Sequence, residues 1–251
     1  MTSAPAGAGL NLPVPGSALA IGAHPDDVEF GCGATLAKWA AAGCVVHHLV
    51  CTDGSKGTWD PDQDLAELVA LRQAEQRDAA KALGATGEVV FLGWPDGELE
   101  SGLRQRGEVA YWIRRLRPDV VLGHDPWRRY RLHPDHRHAG FLTVDGVVVA
   151  RDPHFFPEHS AEHHRPAALL LFEADEPDHV EEADDQAVAR KLAALEAHRS
   201  QLRSTMFVEL GSADGEAQLA AFRGRVIERL VADGGIAGIP RGEAFKAITD
   251  L

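Results

Sequence analysis

Four short apolar runs, at residues 18–23, 45–52, 89–92 and 120–123, are each followed by a polar loop and then by a longer stretch of helical spacing. Runs of that length, bounded by turn-forming residues, suit strands buried on both faces. The intervening segments carry helix punctuation. Leu36 and Ala40 lie four apart ahead of Gly43, and residues 65–83 form an amphipathic stretch ending at Gly84. Ser101 is placed as the N-cap of a helix ending near Leu116, and a further helix is expected over 137–150. Strand, helix and strand in one sheet require right-handed parallel crossovers. The predicted fold class is therefore α/β, a doubly wound, mostly parallel sheet with helices on both faces.

Beyond residue 150 the pattern is weaker. Residues 152–166 form a His- and Pro-rich loop, 168–172 a strand, and 184–202 and 217–231 helices, with 233–242 a glycine-rich connector. Residues 1–17, rich in Ala, Gly, Pro and Ser, are expected as a flexible N-terminal tail, leaving 18–251 as one domain. A chain of 251 residues with 45% hydrophobic content can fill a single α/β core.

The formal net charge of −13 argues against nucleic acid or an anionic membrane surface as partner, since both need a basic face. A small neutral or cationic substrate is easier to reconcile with it. No run reaches the ~20 apolar residues of a membrane helix, and the N-terminus lacks the basic start and apolar core of a secretory signal, so the cytoplasm is the expected compartment. Cys32, Cys44 and Cys51 are odd in number and show no Cys-x-x-Cys spacing, which reads as reduced, buried thiols.

In sheets of this kind ligands bind outside the carboxyl ends of the strands. Two motifs fall there: His24-Pro25-Asp26-Asp27-Val28-Glu29 after the first run, and His133-Pro134-Asp135-His136 after the fourth. Together they supply the nitrogen and oxygen donors of a two-histidine, one-carboxylate metal site, with acids and bases to spare. Such a site leaves positions for water and substrate, and zinc lowers the pKa of its water to about 7. His24 and His136 are the candidate nitrogen ligands, and one of Asp26 and Asp27 the oxygen ligand. Neighbouring residues on an extended turn point apart, so the other is free to act as general base. If Pro134 opens a helix, His133 faces the same cleft as neutral donor or imidazolium, and Asp135 orients one of the imidazoles.

Other polar residues have plainer explanations. Glu29 suits either a helix N-terminus or the site itself. His154, His159, His163 and His164 sit among Pro, Glu and Ser as in an exposed loop, Arg72 and Glu75 are spaced as a helix surface pair, and Trp59 and Trp94 are assigned to packing.

The stretches AHPDDVEFGCGATLA and HPDHR resemble the PIG-L or LmbE-like family of zinc-dependent de-N-acetylases, as do CTDGSKGTWD, LRQAEQRDAAKALG, LGWPDGELE and HRSQ. The resemblance runs from about residue 18 to 201. It implies a Rossmann-like fold and hydrolysis of an N-acetyl group on an N-acetylglucosamine-type small molecule or conjugate. It implies Zn²⁺, or another divalent metal, held by His24, Asp27 and His136, with Asp26 as general base. His133 would stabilise the oxyanion or protonate the leaving amine, supported by Asp135. The family tends toward closed rings or dimers, which leaves room for a homo-oligomer. Some relatives carry Gly-Gly-Tyr-Gly before the second motif, where this chain has Arg129-Tyr130-Arg131-Leu132, so Tyr130 lies three residues before His133 instead of two.

Three rival readings use the same residues. An amidase acting on a thiol conjugate would need the same metal site. A non-haem Fe(II) oxygenase would use His24, Asp26 and His136, although that class usually sits on β-barrels. A sugar- or nucleotide-binding protein without catalysis would leave the surplus acids unexplained.

Overall fold

The computed structural model describes residues 8–251. One eight-stranded sheet carries the strands β1 (Gly9–Leu10), β2 (Ser17–Gly22), β3 (Val45–Thr52), β4 (Val89–Trp94), β5 (Val120–His124), β6 (Ala168–Phe172), β7 (His179–Glu182) and β8 (Gly242–Ile248) in the order β1-β7-β8-β6-β5-β2-β3-β4. All pairings are parallel except those of β8, which runs antiparallel to β6 and β7. The helices are α1 (Asp27–Ala41), α2 (Leu65–Leu83), α3 (Leu103–Leu116), α4 (Pro134–Arg151), α5 (Asp185–Ala197) and α6 (Gly215–Ile236), with a 3₁₀ turn at Arg199–Gln201. This is the α/β, Rossmann-like architecture expected.

The two-residue period of a strand divides the core. In β2, Ala18 and Ala20 enter the layer formed with α1, α2 and α5, whereas Leu19 and Ile21 enter the layer formed with α3 and α4. β5 divides in the same way, Val120 and Leu122 to one side and Val121 to the other. Each fully buried Leu or Ile contributes about 1.5–3 kcal/mol relative to exposure, so both faces hold the central strands in register.

Helix ends follow local chemistry. The Asp64 carboxylate accepts from the backbone N–H groups of Ala66 at 2.8 Å and Glu67 at 3.1 Å, and Gly84 closes α2 at φ +85°, where a Cβ would be costly. Pro134 opens α4, with Nδ1 of the capping His133 accepting from Asp135 N–H. Ser101 does not cap α3. Gly102 takes that position, and the Ser101 hydroxyl turns to His138 Nδ1 at 3.2 Å.

Of the segment expected as a loose tail, residues 1–7 lie outside the described residues, and residues 8–17 are ordered against the sheet. Gly9–Leu10 pairs with β7, Leu12 N–H donates to Glu181 Oε1 at 2.6 Å, and Gly16 N–H donates to Asp119 Oδ2 at 2.8 Å. Glu181 is buried and also accepts from Lys38 Nζ at 2.6 Å.

Besides β1, two further strands were not foreseen. β7 reads HVEE and β8 GEAFKAI, each with charges where a buried strand should be apolar. Those charges have partners. Helix α1 is interrupted at Cys32, whose φ is −148°, which frees the N–H groups of Ala34 and Thr35 and the carbonyl of Phe30. Glu243 of β8 accepts from Ala34 at 3.0 Å and Thr35 at 2.7 Å, and Lys191 of α5 spans Glu243 at 2.6 Å and Phe30 O at 2.7 Å. Helix α6 extends to Ile236, so the expected connector at 233–242 shrinks to residues 237–241. Among the described residues no helix is long and apolar enough to cross a membrane.

Candidate active site

The turn after β2 has an unusual backbone. Asp26 sits at φ +103°, a conformation that costs an L-residue about 1–3 kcal/mol and persists only where the surroundings impose it. Here α2 imposes it. The Pro25 carbonyl accepts from Arg72 Nη2 at 2.7 Å, and the Asp26 N–H of the same peptide group donates to Gln76 Oε1 at 3.0 Å. Arg72 and Gln76 lie one helical turn apart, so one face of α2 grips both ends of that peptide. The expectation of an Arg72–Glu75 surface pair is overturned. Arg72 is 3% exposed, and Glu75 is buried against Ser200, accepting from its N–H at 2.8 Å and its hydroxyl at 2.6 Å.

The two sequence motifs meet. His24 Nδ1 lies 3.2 Å from His136 Nε2 and 3.3 Å from Asp27 Oδ2, and His136 Nε2 lies 3.2 Å from Asp27 Oδ1. Donors bound at 2.0–2.1 Å around a tetrahedral zinc lie about 3.3 Å from one another, so each of these separations matches a pair of zinc ligands, with one Asp27 oxygen toward each imidazole. His24 Nε2 is 3.2 Å from Asp135 Oδ2, which fixes the ring with Nδ1 toward the cluster, as ligating histidines require. Asp135 itself is held by Gly97 N–H at 2.6 Å and Leu99 N–H at 3.3 Å. Its partner is thus His24; the contact with His133 is the capping bond from the Asp135 backbone.

Two residues of the cluster were missed. Asp96, in the loop after β4, places Oδ1 3.2 Å from His24 Nε2. His124, the last residue of β5, is buried with Nε2 3.2 Å from Asp27 Oδ2 and no hydrogen-bond partner for that nitrogen. The available signal was its position, since β5 lies beside β2 with Gly123 opposite Ile21, so a histidine one residue on must face the His24 turn. The ligating atoms fall into overlapping groups, His24–His133–His136, Asp27–His124–His136 and His24–Asp96–Asp135. His154, His159, His163 and His164 belong to none of the groups found among the described residues.

The electrostatics are those of a site built for a cation. Burial opposes charge on His24 and His124, but carboxylates outweigh it: Asp135, Asp27 and Asp96 raise His24, and Asp27 and Glu173 raise His124. Burial would likewise raise Asp27, yet His136 and His124 hold it well below the ordinary carboxylate range. Asp96 is lowered to about 2, its burial overcome by His24. A divalent ion among these carboxylates would supply the positive charge that the histidines otherwise carry. One contact must rearrange for it. Arg131 donates to His124 Nδ1 at 2.9 Å and His136 Nδ1 at 2.7 Å, which leaves the His136 proton on Nε2, whereas a ligating Nε2 needs that proton on Nδ1. Glu173, already paired with Arg131, offers the guanidinium another anchor.

Asp26 differs from its neighbour. Burial raises its pKa to about 6 against the opposing charge of Arg72, whose Nη2 is 3.5 Å from Asp26 Oδ2. His133 is lowered by burial and by the adjacent His24 and His136, and its Nδ1 accepts from Asp135 N–H, so the neutral ring carries its proton on Nε2. Glu29 resolves as an interior residue, accepting from Gln76 Nε2 at 2.7 Å and lying 3.3 Å from His198 Nε2. Tyr130 is 94% exposed and does not enter the site. Trp94 packs, donating to Glu108 at 2.7 Å; Trp59 is exposed beside Phe207, with ring centroids 6.1 Å apart. The three cysteines are free and buried. His24, Asp26, Asp27, Asp96, His133 and His136 open into a pocket of ≈ 450 Å³, within the range of small-molecule sites.

Residues 19–147 match the GlcNAc-PI de-N-acetylase (PIG-L) family. A diacetylchitobiose deacetylase of Thermococcus kodakarensis is 36% identical over 73% of this chain and 69% of its own. A 1D-myo-inositol 2-acetamido-2-deoxy-alpha-D-glucopyranoside deacetylase of Streptomyces avermitilis is 34% identical over 56% of this chain, which spans 55% of that relative. Among solved structures, the N,N'-diacetylchitobiose deacetylase of Pyrococcus horikoshii in complex with an inhibitor superposes with a TM-score of 0.82, at 28% identity, over 94% of this chain and 84% of that one.

Proposed function

The chain belongs to the PIG-L family, and from that premise we propose that it is a metal-dependent hydrolase removing the N-acetyl group from an N-acetylglucosamine-type small molecule or conjugate. The observation that carries the reading is the convergence of His24 Nδ1, His136 Nε2 and the two Asp27 carboxylate oxygens at separations of 3.2–3.3 Å, beside a buried Asp26. These three side chains would hold the ion, for which zinc suits the donor set. When bound, such an ion lowers the pKa of a coordinated water and polarises the acyl oxygen.

The protein's own groups do the rest. Asp135 keeps His24 turned toward the ion. Asp26, with a pKa raised to about 6, is ionised at neutral pH yet basic enough to take the proton of the attacking water. His133 Nε2–H donates to the oxyanion that forms as the carbonyl carbon becomes tetrahedral, a contact whose loss typically costs ~10²-fold or more. As the C–N bond breaks, the amine takes the proton that Asp26 removed, directly or by way of His133, and acetate and a free amino sugar leave. Asp96, already held against His24, adds to the negative charge around the ion.

An oxygenase using His24, Asp26 and His136 is not favoured, because Asp26 Oδ2 lies 3.5 Å from Arg72 Nη2 and the Asp26 backbone is clamped by α2. An amidase for a thiol conjugate would use the same chemistry on a larger leaving group. The test is acetate release from N-acetylated amino sugars and their conjugates, with and without chelator. Chelator-sensitive release that returns with zinc supports the reading; release unaffected by chelator, or none from any N-acetylated sugar, contradicts it.

A further inference from the structure

A second cavity of ≈ 300 Å³ opens beside the reaction pocket, and the two share Phe30, Glu173 and Thr205 as a common wall. Its apolar walls are otherwise Phe207, Phe222, Val226 and Leu230, from the loop after the 3₁₀ turn and from α6. Apart from Phe30 and Gly31, its lining lies beyond residue 147, outside the segment that matches the family. Phe30 and Phe222 meet edge to face with centroids 6.2 Å apart, and Phe207 stands at the mouth with φ +59°, a conformation rare for an aromatic residue.

The charged side chains of this cavity are already engaged. Lys191 is bound to Glu243 at 2.6 Å, Arg229 to Asp233 at 2.9 Å, Glu173 to Arg131, and Arg225 donates to the Met206 carbonyl at 3.1 Å. An occupant rich in hydroxyls or charge would find few free partners and would lose its hydration. A neutral apolar group would lose nothing and would displace water from aromatic walls. The volume is about twice that of the ~150 Å³ apolar cavity that takes up benzene, so one ring with a short linker fits.

We propose that this cavity is a subsite for a neutral, ring-sized apolar aglycone, and that the preferred substrate is an N-acetylated amino sugar bearing such a group instead of a second sugar. The proposal rests on the de-N-acetylase reading of the adjoining pocket. Binding energy gathered there would anchor the sugar while its acetamide is positioned at the cluster.

The test compares kcat/KM of zinc-loaded protein for methyl N-acetylglucosaminide, phenyl N-acetylglucosaminide and diacetylchitobiose. The phenyl glycoside should exceed the methyl glycoside by about ten- to a hundredfold, the gain expected from burying one phenyl ring, and should exceed the disaccharide. Phe207→Ala should lower the phenyl-to-methyl ratio at least about fivefold. That ratio does not depend on how much of the variant is folded. A disaccharide preferred to the phenyl glycoside, or a ratio unmoved by Phe207→Ala, overturns the subsite. If no acetate is released from any of the three, the parent reading fails on its own. The cavity is then judged by saturation-transfer NMR of phenyl β-glucoside: phenyl signals weakened in Phe207→Ala support the subsite, and signals equal to wild type, or absent from both, overturn it.

Discussion

On the side of the sheet built from β2, β3, β4 and β5 all strands run the same way, and their carboxyl ends deliver His24, Asp96 and His124 to one cluster. On the other side β8 runs against β6 and β7, and Glu243 and Glu181 are spent on Lys191, Lys38 and the backbone. Carboxylates are buried in both regions, but under different conditions. Around Asp27 they crowd together with histidines, and ring nitrogens and carboxylate oxygens converge on one place. Around Glu243 and Glu181 each is matched to an ammonium and to N–H donors, as interior charges must be when they serve only the fold. Unmatched convergence marks the chemistry, and matched pairs mark the scaffold.

The largest effect should come from Asp26→Asn. Losing the base should reduce acetate release by about 10²–10⁴-fold with zinc content unchanged, and turnover within a few-fold of wild type would break the assignment. Asp135→Asn touches the same region one step out. It should weaken zinc binding by about 10–100-fold, read by titration against a competing chelator, because the charged acceptor that fixes the His24 tautomer becomes a neutral amide.

Across the sheet the expected outcomes reverse. Glu243→Gln leaves Lys191 without its counter-charge and should cost about 3–5 kcal/mol in denaturant unfolding, while zinc affinity stays at the wild-type value. A large loss of zinc affinity with unchanged stability would erase the distinction between the regions. Glu181→Gln should be the mildest, at about 1–3 kcal/mol. Burial would raise the Glu181 carboxyl, but His179, Lys38 and Leu12 N–H hold it below its ordinary value of 4.5. A lowered folded pKa contributes stability that is present above the unfolded pKa and lost as pH falls through the folded one. The gap between wild type and Glu181→Gln should therefore be widest near neutrality and close below about pH 4, whereas a gap that widens in acid would contradict the pairing.

The parallel region was legible because its signals are local. Runs such as 45–52 and 168–172 declare buried strands by composition, and Asp64 and Gly84 punctuate α2 within a few residues of its ends. The HPDD and HPDH motifs carried most of the cluster for the same reason. What escaped depends on distant partners. Charged β8 becomes a buried strand only because α1 breaks at Cys32 and α5 presents Lys191. Residues 8–17 join the fold because β7 pairs with Gly9–Leu10 and because Glu181 and Asp119 accept the N–H groups of Leu12 and Gly16. His124 and Asp96 needed the strand order to be seen beside His24, and Arg72 needed the strained peptide at Asp26 to be distinguished from a surface cation.

Anomalous diffraction at the zinc edge, from crystals grown with one equivalent of metal, addresses the centre of the account. It should place a single ion about 2.0–2.2 Å from His24 Nδ1, an Asp27 carboxylate oxygen and His136 Nε2, with Arg131 turned away from His136. An ion bound elsewhere, one held without His136, or no ion at all would contradict it.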